Sequence, residues 1–343
     1  WLGLVGSEMC IRDRIITDAW YPQTNGVVRT MDNLGQQLRK RGHEVKYITP
    51  KEFFTVPMPT YPEIRLALNA WPKINKMIKD YNPQVIHIST EGPLGFFGRK
   101  YCLKHNIKFT TSYHTKFPEY VNARVKIPVS FSYRFMRYFH KYSQSILVTT
   151  NTMKNELVSN GFNIDKLKVW TRGVKHEVFG NGEKIKDFKG PVWIYVGRVA
   201  IEKNIKAFLN LDIDGTKIVV GDGPQMSEVK KKYPDVIFTG MLNDKDISNY
   251  LASSDVFVFP SKTDTFGIVL IEALAAGLPI AAYKVPGPID ITGGTEIDTL
   301  DDDLKTSALK ALKIDKQKCR KLAKQYTWEE CAKIFESACA PNY

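Results

Sequence analysis

An α/β fold of two parallel-sheet domains is predicted by three observations. Short apolar runs alternate with helix-forming stretches along the chain. Several of those runs end in a loop carrying Gly, Asn or Asp that opens a helix, the strand–loop–helix unit of doubly wound sheets. At 343 residues the chain is long for one core, so two domains are expected, over residues 15–178 and 188–325. Between them Gly180–Gly190, rich in Gly, Lys, Asn and Asp, reads as a linker, and residues 326–343 as a closing helix.

Hydrophobic residues at 43% and charged residues at 25% are those of a folded globular protein. No apolar run approaches the roughly 20 residues of a membrane-spanning helix. The five cysteines, Cys10, Cys102, Cys319, Cys331 and Cys339, are far apart and form no C-x-x-C pair. That argues against a disulfide framework or zinc site and fits a reducing cytoplasm. The net charge of +13 is uneven: residues 1–175 carry 27 Lys and Arg against 12 Asp and Glu, and the remainder 22 against 24. A basic first half fits attraction to anionic lipid, nucleic acid or a phosphorylated substrate, or plain solubility.

Taken in order, Trp1–Arg14 does not read as the start of such a fold, nor as a signal peptide, because its apolar run is short and no basic region precedes it. It is expected to be foreign or mis-assembled sequence, with Ile15–Asp18 as the end of the opening strand. Pro22 and Asn25-Gly26 then mark a turn before a helix to about Arg41, and Gly26 lets backbone approach a ligand. Glu44–Thr49 is a second strand, Lys51–Tyr61 an irregular stretch rich in Pro and aromatics, and Gln84–Ser89 a third strand. A Gly-bearing loop, Thr90–Gly95, and a helix through about His105 follow, and His87 reads as packed core. Lys108–Ser112 is another strand with Tyr113-His114-Thr115 at its carboxyl end, where a His can donate to a sugar or phosphate.

From Arg99 to Lys141 there are ten Lys or Arg and one acid, Glu119. Phe131, Phe135, Tyr138, Phe139 and Tyr142 recur at helical spacing, with Arg134, Arg137 and Lys141 as a second stripe. Two readings stay open: an interfacial helix on an anionic membrane, or aromatics in a core with a wet basic face. No helix-turn-helix, zinc or RNP pattern accompanies the charge, so nucleic acid is not expected as a partner. Ser145–Thr150 and Leu167–Trp170 complete the first domain.

In the second half Val192–Val196 ends in Gly197-Arg198, with Lys203 five residues on. Two cations there suit a departing diphosphate when no metal neutralises it. Gly221-Asp-Gly-Pro224 is not G-x-G-x-x-G, so dinucleotide binding is not supported. Asp212-Ile-Asp214 is a D-x-D, discounted because Asp214-Gly215 is a turn signal, and Asp301–Asp303 reads as a helix start.

The stretch that organises the chain is Ser261–Gly277, with a short apolar run directly before it. Asp255-Val-Phe-Val-Phe259, closed by Pro260, reads as a buried parallel strand. Phe266–Ala276 reads as a helix with Gly277 just past its end, and Leu278–Tyr283 begins another strand. The loop and helix tip, Asp264-Thr265-Phe266-Gly267, would present N–H groups and the helix dipole to an anion. Asp264 and Glu272 are then separated by on the order of 10 Å, the span of a sugar and a diphosphate leading to a ribose. Asp264 would reach a sugar hydroxyl and Glu272 the ribose.

Two acids eight apart, with Phe-Gly after the first, resemble the E-x7-E signature of family 4 glycosyltransferases, with Asp264 in place of the first Glu. Gly197-Arg198 with Lys203, Tyr113-His114-Thr115, Gly-Leu-Pro-Ile280, Trp170-Thr-Arg-Gly-Val174 and Glu91-Gly-Pro-Leu-Gly95 extend the resemblance over about residues 15–340. They are similar to GDP-mannose-dependent mannosyltransferases and to sulfoquinovosyl- and glycosyl-diacylglycerol synthases. The resemblance implies the GT-B fold of two facing Rossmann-like domains, the last helix crossing back to the first, and a retaining transfer without an obligatory metal or other cofactor. It implies a nucleotide-sugar donor of GDP-mannose or UDP-glucose type and a lipid or glycolipid acceptor, at the cytoplasmic face of the cell membrane. It places Asn25 and Gly26 over the donor diphosphate, Gly240 and Met241 at the base, and His114 and Asp264 at the reacting sugar. An epimerase or hydrolase of the same architecture, and a basic membrane- or RNA-binding module, are the competing expectations.

Overall fold

The computed structural model describes residues 11–23, 25–58, 61–119, 122, 126–185 and 187–339. Trp1–Cys10 and the closing Ala340–Tyr343, expected to be frayed, lie outside them. The chain divides into two compact units, one of Trp1–Thr149, Lys154–Thr171 and Trp328–Tyr343, the other of Thr150–Met153 and Arg172–Thr327.

The first unit holds β1 (Arg12–Ile16), β2 (Glu44–Ile48), β3 (Thr55–Met58), β4 (Tyr61–Ala67), β5 (Val85–Ile88), β6 (Thr110–Tyr113), β7 (Ile146–Val148) and β8 (Leu167–Val169). Six of these form a parallel sheet in the order β2-β1-β5-β6-β7-β8. β1 begins at Arg12, so the opening strand includes three residues ahead of Ile15. Strand order reverses between β1 and β5, and that reversal opens a crevice at the carboxyl ends of the two strands.

The Lys51–Tyr61 stretch is not irregular throughout: β3 and β4 pair as an antiparallel ladder outside the main sheet. Pro57 is tolerated because a two-stranded ladder leaves each strand an edge where no N–H is needed. The closing helix, Trp328–Ala338, packs in this first unit. Its Cys331 carbonyl accepts from Trp170 Nε1 at 2.8 Å, and Phe335 meets the His87 ring edge-on at 5.0 Å.

The second unit holds β9 (Val192–Val196), β10 (Thr216–Val220), β11 (Ile237–Gly240), β12 (Val256–Phe259) and β13 (Ile280–Ala282), a parallel sheet in the order β11-β10-β9-β12-β13. Val192, Ile194 and Val196 enter one apolar core while Trp193 and Tyr195 enter another. Alternate side chains of β9 are thus buried on opposite faces, which is why the strand reads as a continuous apolar run. The chain passes between units at Thr171–Arg172, so Gly180–Gly190 lies inside the second unit. It is held there by bonds from Glu183 N to Asn249 Oδ1 and from Ile185 N to Ser253 Oγ, both 2.9 Å. No helix among the described residues is long and apolar enough to cross a membrane.

Candidate active site

In the second unit strand order reverses between β9 and β12, and the loops after these two strands carry Arg198, Lys203 and Asp264. The loops are tied together. Asn204, left-handed at φ +53°, donates from Nδ2 to Pro260 O at 3.1 Å, and Thr263 Oγ1 donates to Glu202 O at 3.2 Å. Lys203 Nζ is ion-paired with Asp264 Oδ1. The other Asp264 oxygen is buried and has no hydrogen-bond partner among the described residues. Buried carboxylate oxygens are normally satisfied, so a hydroxyl donor supplied from outside the chain fits this one.

Gly267 stands at the helix tip with φ +84°, followed by the helix Ile268–Ala276 and by Gly277 at φ +89°. The helix therefore begins two residues later than the expected Phe266, because the left-handed turn at Gly267 lies outside helical geometry. Thr265 and Phe266 are buried at 7% and 5% exposure. A Cβ on Gly287 would come within 2.7 Å of Phe266 O, so that glycine lets two backbone segments close on each other. Glu272 is 2% exposed, unlike the solvated carboxylate of an ordinary surface helix. At the far side of the sheet Gly240 O accepts from Gly221 N at 2.8 Å, and Met241 is exposed. Tyr195 donates from its hydroxyl to Arg198 O at 2.7 Å, which pins the backbone of that loop.

Asp212 is exposed and paired with Lys305 at 2.8 Å, and Asp214 O accepts from Trp193 Nε1 at 2.8 Å. The D-x-D is therefore a turn. Asp303 caps the helix Leu304–Ala311 through a bond from Thr306 N at 2.8 Å.

His114, Asn25 and Gly26 belong to the first unit. His114 directly follows β6, and its Nε2 lies 3.2 Å from Ser89 Oγ at the end of β5. Asn25 is the N-cap of the helix Gly26–Lys40, its Oδ1 accepting from Val27 N and Val28 N at 3.0 Å. Its side-chain oxygen is thus engaged by the helix, and Gly26 lies in the first turn. His87 is core: it is fully buried, with Thr110 Oγ1 and Ser112 Oγ each 2.8 Å from its ring nitrogens.

Sequence reasoning missed Asp18. It is buried two residues past β1 and accepts from Thr90 Oγ1 at 2.8 Å, Leu94 N at 2.9 Å and Gly95 N at 3.3 Å. It thereby caps the helix Pro93–Lys104 from another strand. A Cβ on Gly92 would come within 2.4 Å of Asp18 Cγ, so Gly92 is what admits the carboxylate. Burial pushes the Asp18 pKa up to about 6, against the opposing hydrogen bonds. The partners are more than 70 residues away in sequence, so no local pattern announces the cap.

On the helix Val129–His140, Tyr133, Met136, Phe139 and His140 are buried, whereas Phe131, Phe135 and Tyr138 are exposed with Arg134. Tyr142, just beyond, is exposed too. Of the aromatic stripe only Phe139 enters the core, so the reading that placed all five aromatics there does not hold.

Residues 24–178 match the family described as Glycosyltransferase Family 4, and residues 182–326 match Glycosyl transferases group 1. The sulfoquinovosyl transferase SQD2 of Arabidopsis thaliana is 28% identical over 79% of this chain, which spans only 59% of that protein's length. A GDP-mannose-dependent alpha-mannosyltransferase of Mycobacterium tuberculosis is 25% identical over 82% of each chain. The alpha-monoglucosyldiacylglycerol synthase of Streptococcus pneumoniae is 26% identical over 80% of this chain and 72% of its own. Among solved structures, Anabaena HepE in complex with UDP-glucose superposes with a TM-score of 0.70 at 14% identity, covering 95% of this chain and 99% of that one. Sucrose-phosphate synthase from Thermosynechococcus elongatus does so with 0.74 at 18% identity, covering 95% and 98%. At such identities the likeness is one of fold, the GT-B fold.

Proposed function

The chain belongs to glycosyltransferase family 4, and we propose that it transfers a hexose of mannose or glucose type from a nucleotide sugar to a hydroxyl of a lipid or glycolipid acceptor, with retention of anomeric configuration. The observation that carries this reading is Asp264, with one oxygen on Lys203 and the other buried without a partner among the described residues at the tip of a helix. A sugar hydroxyl satisfies that oxygen, and the diphosphate lies on the N–H groups at Thr265–Gly267 with Arg198 and Lys203 neutralising the charge that develops as it leaves. Glu272 receives the ribose hydroxyls, and the backbone at Gly240 and Met241 the base. On the first unit Asn25 fixes the turn ahead of Gly26, and His114 is steadied by Ser89; the family resemblance gives Asn25 and Gly26 a role toward the diphosphate and His114 one toward the reacting sugar.

In this reading the anomeric carbon–oxygen bond to the diphosphate breaks while the acceptor oxygen bonds to the same face of that carbon. The acceptor proton passes to the leaving phosphate oxygen. No metal is required, because two cations and a helix tip carry the charge. Support for a lipid acceptor comes from the similarity to an alpha-monoglucosyldiacylglycerol synthase and from the exposed aromatic and basic face of Val129–His140. That face suits peripheral attachment to the cytoplasmic face of an anionic membrane.

The test is a donor-by-acceptor panel. Purified protein is incubated with GDP-mannose, UDP-glucose and other nucleotide sugars, with and without diacylglycerol, glycosyl-diacylglycerol or phosphatidylinositol. Acceptor-dependent nucleotide release with at least one pair is expected, and none with any pair overturns the reading. Vesicle pelleting that survives Arg198→Ala separates membrane attachment from catalysis.

A further inference from the structure

Phe54 is the most exposed aromatic side chain among the described residues, at 77%. It stands just ahead of β3, and its carbonyl accepts from the N–H of Leu68, just past β4, at 3.0 Å. The ladder pairs Thr55 with Ala67, so Phe54 and Leu68 are the next opposed pair and their side chains leave it on the same side. Leu68 is 45% exposed. Packing does not explain the pair, because neither side chain is covered.

An aromatic ribbon joins this pair to the exposed face of Val129–His140. Trp71, three residues past Leu68, meets Phe97 with ring centroids 6.2 Å apart, and Phe96 meets Phe135 at 5.5 Å. Phe96 and Phe97 are consecutive on the helix Pro93–Lys104, roughly 100° apart around its axis, so one helix carries the contacts both ways.

Cations line the ribbon. Lys73 Nζ stands over the Phe53 ring at 5.3 Å, and Lys100 Nζ over the Trp71 ring at 4.5 Å. Residues 71–79, 93–104 and 126–142 together hold ten Lys or Arg, eight of them exposed, and no Asp or Glu. The nearby Glu52 carboxylate turns inward onto Thr49 N and Oγ1, at 2.9 and 2.7 Å. Exposed apolar groups set among unneutralised cations fit an anionic bilayer, with rings and leucine in the interface and ammonium groups on lipid phosphates. A nucleic acid would be held by the cations alone and would leave Phe54 and Leu68 in water.

We propose that Phe54 with Leu68 is a second point of insertion into an anionic bilayer, and that the first unit engages one bilayer through this pair and through Phe131 and Tyr138 together. The inference rests on the peripheral attachment argued for Val129–His140 and deepens it: two anchors on one compact unit bind more tightly than either alone and fix its orientation on the surface.

The experiment sediments the full chain with vesicles of phosphatidylcholine, with and without phosphatidylglycerol. Wild type is compared with Phe54→Ser/Leu68→Ser, with Phe131→Ser/Tyr138→Ser and with all four changes combined. The thermal midpoint and nucleoside diphosphate binding are the folding controls, and sedimentation velocity without vesicles reports self-association. Each double variant should weaken binding to the phosphatidylglycerol vesicles about ten-fold, and the combined variant by roughly the product of the two losses. Phe54→Trp supplies a readout that a merely structural role would not move: its added fluorescence should be quenched by brominated acyl chains when phosphatidylglycerol is present. Binding that is indifferent to Phe54→Ser/Leu68→Ser, or added fluorescence that stays unquenched, overturns the second anchor and leaves the transferase reading untouched. Self-association abolished by Phe54→Ser/Leu68→Ser, with vesicle binding retained, gives the pair to a second copy of the chain and overturns it too. A wild type that does not sediment with anionic vesicles overturns membrane attachment as a whole, while the donor-by-acceptor panel judges sugar transfer separately.

Discussion

Lys203 and Asp264 form an ion pair that joins the loop after β9 to the loop after β12, at the strand reversal of the second sheet. The pair is largely shielded, at 23% and 17% side-chain exposure, so the lysine both neutralises and orients the acid. Lys203→Ala is expected to lower kcat/KM by about 10²–10³, the scale of losing one preorganised charge-stabilising group. Asp264→Asn, which keeps the shape, should lower kcat while nucleoside diphosphate affinity stays within a few-fold. Steady-state kinetics with calorimetric binding of the diphosphate check both. Equal loss of diphosphate and donor affinity in Asp264→Asn would contradict a role at the sugar.

Gly267 sits at φ +84° with Leu270 and Phe259 side chains 3.0 and 3.1 Å from where a Cβ would stand. Gly267→Ala should cost about 1–2 kcal/mol of stability from backbone strain. It should also raise donor KM by tilting the helix tip. Urea unfolding and donor titration measure the two effects, and an unchanged donor KM would remove the helix tip from the diphosphate site.

Asp18 gives a pH signature. Its folded pKa, about 6, lies above the ordinary carboxylate value of 3.8, so the native state holds the proton more tightly than the unfolded chain. Its stabilising contribution is complete below the unfolded value and is lost as pH rises through about 6. Relative to Asp18→Asn, the wild type should lose up to ~3 kcal/mol of unfolding free energy between pH 4 and pH 7. Denaturant titrations of both proteins at several pH values test the sign, and a difference that grows with pH would refute it.

Phe131 and Tyr138, at 66% and 56% exposure, rise from the same helix as Arg134. Replacing both aromatics with Ser should change stability by no more than about 0.5 kcal/mol each, as for other surface positions. It should weaken pelleting with anionic vesicles about ten-fold or more, and added salt should weaken the wild type's binding. Unaltered pelleting would return this face to the role of a solvated surface.

What was legible from sequence was whatever is written locally. The apolar runs Val192–Val196 and Val256–Phe259 are buried on both faces and lack alternation, so they read directly as parallel strands. Gly277 stops a helix through its own left-handed backbone, and Asp264 with Glu272 takes its spacing from one loop and one helix. Periodicity on Val129–His140 marked two faces but not which one packs, because aromatic side chains serve a core and an interface equally well.

The chain by itself determined the fold class, the family and the strand ends that carry the candidate site. Only the tertiary structure decided that Asp18 caps a helix from another strand and that Ser89 meets His114. The reason is that these contacts are made between strands adjacent in a sheet but far apart along the chain. Adjacency in a parallel sheet is set by crossover connections, which leave no mark at the residues they bring together.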